Sequence, residues 1–77
     1  MLLKIDNRNI VAPLTLVDEY NLVSVGYMSL RGPDFLRLDL PLNQLVQAME
    51  DAAGNGKQFL DVSPGGIQAI KAKYTPS

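Results

Sequence analysis

The chain has no cysteine, no histidine and no tryptophan among its 77 residues. Without cysteine there is no disulfide, and without cysteine or histidine the ordinary ligands of zinc, haem and iron–sulfur clusters are missing as well. Small domains commonly use those devices to offset a thin core. General acid–base and nucleophilic catalysis also lose their most frequent side chains, so a Ser-His-Asp or Cys-His arrangement cannot be assembled. The remaining nucleophile candidates are Thr15, Ser24, Ser29 and Ser63, and none lies in a Gly-x-Ser-x-Gly elbow. A non-enzymatic protein without a metal or cofactor is therefore expected.

Excess charge is lacking too. Seven Lys+Arg stand against eight Asp+Glu, a formal net charge of -1 with a pI ≈ 5.0, far from the basic footprint that phosphate neutralisation requires. Nucleic-acid binding is disfavoured. The apolar runs Ile10–Val17 and Asn21–Leu30 are broken by Pro, Thr, Ser or Gly and fall short of the ~18 residues of a membrane helix. Met1–Asp6 has no basic segment and no small-residue cleavage site, so a cytoplasmic protein is expected. Adjacent carboxylates at Asp18-Glu19 and Glu50-Asp51 do not face each other and read as solvated surface. A hard-cation site from Asp6, Asn7 and Asn9 lacks the frame of a calcium loop.

What is present is apolar. The hydrophobic fraction is 47%, the charged fraction 19% and the mean hydropathy +0.04, which describes a folded chain. At 8.4 kDa residues 1–77 make one small domain that buries roughly 62% of its unfolded surface. About 4,500 Å² of buried apolar area at ~25 cal/mol per Å² supplies roughly 110 kcal/mol, against roughly 115 kcal/mol of ordering entropy. The near-zero balance points to good packing or self-association.

Period-two alternation dominates the first half, the mark of strands with one buried face. Leu2–Ile5 and Ile10–Val17 flank the turn-forming Asp6-Asn7-Arg8-Asn9, as two strands or one long kinked strand. Pro13 places the second at an edge or a bulge. After Asp18-Glu19-Tyr20-Asn21 turns the chain, Leu22–Leu30 reads as the central strand, with both faces apolar and Gly26 marking a bulge or bend. Beyond the turn Arg31-Gly32-Pro33-Asp34, the residues Leu36, Leu38 and Leu40 alternate with Arg37 and Asp39.

Leu42, Leu45, Val46, Met49 and Ala53 follow helical spacing and predict one amphipathic helix over about 41–53. Pro41 suits its first turn, Asp39 is the N-cap candidate and Gly54 the left-handed terminator. Ser63-Pro64-Gly65-Gly66 predicts a turn closing a hairpin through Tyr74, with a short helix started by Ser63-Pro64 as the rival. The fold expected is α+β: a small antiparallel or coiled, barrel-like sheet with one amphipathic helix. Its order is β-β-β-α-β-β, that of an OB-type barrel, or ββββ-α-ββ.

Three functional readings follow. The first is a homo-oligomeric protein-binding module of inhibitor or adaptor type, meeting its partner through the sheet. Its candidate contact residues are Val23, Val25 and Tyr27, on the face of the central strand without evident cover, and Arg31, Phe35 and Arg37 around the next turn. Cysteine-free chains of this size are often phage or mobile-element products, which fits that type. The second is an oligomeric binder of a small anionic ligand such as a nucleotide, held by Ser63, Gly65 and Gly66 with Lys57, Lys71 and Lys73 in reach. The third is an OB-like single-strand binder using scattered aromatics and cations.

Overall fold

A computed structural model describes residues 1–6 and 8–74 as a mixed α+β fold with two three-stranded sheets and two helices. The strands are β1 (Leu2–Lys4), β2 (Ile10–Val11), β3 (Leu14–Val17), β4 (Leu22–Ser29), β5 (Gly32–Pro41) and β6 (Phe59–Asp61). The helices are α1 (Leu42–Gly54), between β5 and β6, and α2 (Pro64–Tyr74). One sheet has the order β2-β1-β6 and the other β3-β4-β5.

The α+β expectation holds, and its finer topology is corrected. The stretch expected as one or two strands makes three, because Pro13 interrupts it and hands the chain from one sheet to the other. Helix α2 replaces the expected closing hairpin. Ile67, Ile70 and Tyr74 fit one helical face as well as Ile70, Ala72 and Tyr74 fit a strand, and Pro64 pre-sets the first helical φ. The Ile67 N–H donates to the Ser63 carbonyl at 2.9 Å, the first bond of that helix. Without the hairpin the OB-type order is lost, and β6 runs parallel to β1, pairing Leu3 with Leu60.

Two hairpins build the β3-β4-β5 sheet. Asp18 accepts from the Asn21 N–H at 3.0 Å and donates to the Leu22 carbonyl at 3.1 Å, while Asn21 sits at φ 62. This is a three-residue loop closed by a left-handed residue, a position asparagine tolerates. The register of β4 on β5 breaks between Leu22 and Ser24, where Leu38, Asp39 and Leu40 stand against Val23 alone. Asp39, at φ 51, absorbs the extra length, and the leucines on either side of it both turn inward. Gly26, expected to mark a bulge, is instead in regular register with Leu14 and Phe35.

Helix α1 begins one residue later than expected, with Pro41 itself as the capping residue and no side-chain cap. The Leu42 N–H finds the Asn21 carbonyl at 3.1 Å instead, and Asp39 pairs with Arg37. At the other end Gly54 is helical, and Gly56 takes the left-handed conformation at φ 77. Lys57 N–H to Ala52 carbonyl and Gly56 N–H to Ala53 carbonyl, each 3.0 Å, complete a Schellman closure. The buried stripe of α1 is Leu45, Ala48 and Ala52, leaving Val46 and Ala53 outside it. Leu45 and Ala48 pack with Leu3, Val23, Val25, Leu38, Leu40, Val62 and Ile70 in one core.

Candidate interaction surface

The core decides which face of β4 is free. In an antiparallel pair, directly opposed residues share a face. Val23 and Val25 are both 0% exposed, packed against the leucines of β5 and the helices. They are therefore removed from the candidate contact set. Tyr27, on the same side, is half-buried and makes a long hydrogen bond of 3.4 Å to Asp34. Burial first, and then the Asp34 charge, raises the Tyr27 phenol above its ordinary value.

The opposite face is the open one. Leu14 and Leu16 of β3, Met28 of β4 and Phe35 of β5 are 61%, 52%, 70% and 56% exposed. Register puts them together, since Gly26 stands between Leu14 and Phe35, and Ser24 between Leu16 and Arg37. Gly26 is what allows the cluster to close. A Cβ there would lie 3.1 Å from Phe35 Cε1 and 3.4 Å from Leu14 Cδ2, so both side chains lean over the bare backbone from either side. An aromatic ring covering a strand glycine is a known way of fixing register. At roughly 150–250 Å² for a large side chain, the four exposures amount to about 450 Å² of apolar surface.

Charge at the rim is partly paired. Arg37 lies on the open face and pairs with Asp18 at 3.4 Å and with Asp39 at 2.9 Å. Arg31 is exposed at the tip of the β4–β5 hairpin. Of the six residues named for partner contact, the structure thus keeps Phe35 and Arg37 on the open face and Arg31 at its end. Leu14, Leu16 and Met28 were missed. One signal could have found them: Ser24 and Gly26 make the Leu22/Met28 side of β4 a poor core face, and β-branched Val23 and Val25 make the other side a good one.

The residues named for anion binding do not form a cradle. Gly65 and Gly66 belong to the first turn of α2, and Gly66 is pressed against Asp61, whose carboxylate carbon would lie 3.0 Å from a Cβ at that position. Asp61 accepts from the Ser63 hydroxyl at 2.5 Å and the Ser63 N–H at 2.9 Å, and these bonds hold its carboxyl below its ordinary range. The place expected to hold an anion is occupied by the protein's own. Lys57 and Gly66 do line one groove of ≈ 420 Å³, but Phe59, Leu60 and Ile70 make its lining largely apolar. Lys57 meets Lys73 across a neighbouring hollow, where the Tyr74 hydroxyl donates to Asp51. That bond lowers the Asp51 carboxyl and raises the Tyr74 phenol. Lys71 is half-buried on α2 and lines neither groove.

Among the described residues, no three His, Cys, Asp or Glu side chains gather where they could hold a metal ion. Asp6 instead accepts from the backbone of Arg8 and Asn9, each at 2.8 Å, which lowers its carboxyl, and Asn7 lies outside the described residues. No helix among the described residues is long and apolar enough to cross a membrane. No protein-family model matches the chain, and no curated protein or solved structure is significantly similar to it.

Proposed function

We propose that the protein is a non-enzymatic interaction module, of inhibitor or adaptor type, that works as a homo-oligomer and meets an apolar protein surface through the open face of β3-β4-β5. One observation carries this reading: Leu14, Leu16, Met28 and Phe35 are each more than half exposed and share that face. A monomer's largest apolar patch is typically ~300–600 Å² and often functional, and this one reaches about 450 Å² in a chain of only 77 residues. The rim supports it. Arg37 is already paired with Asp18 and Asp39 within the chain, so covering the face does not leave its guanidinium without a partner.

A photo-crosslinking residue placed at Phe35, with a control at exposed Glu50 on α1, tests the reading in cells of the source organism. Adducts to protein are expected from position 35, absent from position 50 and lost when Met28→Lys is added. Equal adducts from both positions, or none from position 35, refute it.

A further inference from the structure

The open face ends at β3, which is the barest strand of the sheet. All four of its residues are exposed, including Val17 at 42%, although Val17 lies opposite buried Val23. Among the described residues its one neighbour in the sheet is β4. The phase of its backbone follows from one bond. The Asp18 N–H donates to the Leu22 carbonyl at 3.1 Å, one step beyond the β3–β4 register. Backbone groups alternate in direction along a strand, so Asp18, Leu16 and Leu14 address β4, whereas Thr15 and Val17 turn their N–H and C=O groups to the outer edge.

Edges left open normally carry a charge, a proline or a bulge that discourages pairing. β5, the other edge of this sheet, has Pro33, Asp34, Arg37 and the positive-φ Asp39. Leu14–Val17 has none of these, and Pro13 and Asp18 stand just outside it.

We propose that a second copy of this chain pairs with β3 along that edge, antiparallel about a two-fold axis through Leu16, joining two three-stranded sheets into one six-stranded sheet. An antiparallel edge is complementary to itself, which suits an isologous dimer. In this register Thr15 of each copy exchanges both backbone bonds with Val17 of the other, and every group those residues turn outward is used. A register centred on Thr15 sets Val17 opposite Pro13, whose nitrogen has no proton to give. Leu16 meets its own copy across the axis on the open face, and the two apolar clusters become one continuous strip. The inference rests on the reading of that face as an interaction surface and gives the oligomer its geometry.

Sedimentation equilibrium of the full chain from micromolar concentration upward tests it. The wild-type protein is expected at twice its 8.4 kDa chain mass. Thr15→Pro removes an N–H that β4 does not use, so the variant should keep its circular dichroism and fall to a single chain. Leu16→Lys and Leu16→Glu should each be monomeric and should recombine as a heterodimer when mixed, because the two positions oppose each other. A monomeric wild type, a dimeric Thr15→Pro variant or a mixture that does not recombine overturns the pairing. If Thr15→Pro stays dimeric while Phe35→Asp is monomeric, the copies meet face to face, so edge pairing fails and the open-face reading stands.

Discussion

Gly65 and Gly66 stand side by side in the first turn of α2 and differ in what a methyl group would meet. At Gly65 nothing lies within 4 Å of a built Cβ. At Gly66 the same atom would overlap the Asp61 carbonyl oxygen and lie 2.8 Å from its carbonyl carbon. Comfortable carbon–oxygen contacts are about 3.3 Å, so α2 would have to lift from β6 by roughly 1 Å. Backbone cannot rotate out of the way, and the lift would loosen Val62 and Ile70 in the core. Overpacking of this kind costs about 1–3 kcal/mol, and the helix preference of alanine returns at most ~1 kcal/mol. Gly66→Ala should therefore lose about 1–2 kcal/mol, a fall in Tm of about 4–16 °C for a domain this small. Gly65→Ala should gain ~0.5–1 kcal/mol and melt about 2–8 °C higher. Thermal unfolding followed by circular dichroism at one fixed protein concentration separates them. Two variants that melt alike, or a Gly66→Ala protein as stable as wild type, would refute the close approach of α2 to β6.

Substitutions at two further positions probe single features. Gly56→Ala forces a side chain into the left-handed conformation at φ 77 and should cost ~1–2 kcal/mol in chemical denaturation, with Gly56→Asn milder. Asp61 has a folded pKa below its ordinary 3.8, so its contribution to stability is present above that value and is lost as pH falls through the folded pKa. Asp61→Asn should flatten the acid side of the stability profile, read as the denaturation midpoint between pH 5 and pH 2. An unchanged slope would show that the Ser63 bonds to Asp61 do not persist in solution.

The parts of this fold legible in the sequence are those where a single pattern decides. Leu42, Leu45 and Met49 admit only a helical period, and Leu36, Leu38 and Leu40 only a strand period, and both elements are present. Ile67–Tyr74 satisfies both periods over eight residues, so the start signal Ser63-Pro64 was the better guide. Gly54 and Gly56 are both plausible terminators. The choice between them depends on how many turns α1 needs to reach β6, a tertiary quantity. The exchanged face of β4 is the instructive case. Counting apolar residues weighs Leu22 and Met28 equally with Val23 and Val25, but burial depends on how well a face fills space, and Ser24 with Gly26 cannot fill it. The surplus of apolar residues was readable, and its location required the register with Leu38 and Leu40.

That surplus and the thin core make a joint prediction about stability. If the exposed strand β3 is covered in the native assembly, unfolding separates two chains, and the transition must depend on protein concentration. Each tenfold dilution then withdraws about 1.4 kcal/mol per dimer, or ~0.7 kcal/mol per chain, which lowers Tm by about 3–6 °C. The Thr15→Pro variant, lacking the pairing, should melt at one temperature across the whole series, and lower than wild type at high concentration. Calorimetry over two decades of concentration distinguishes the cases. A wild-type Tm that is independent of concentration would mean that the buried hydrophobic core of one chain holds the fold by itself and that β3 is bare in the working protein.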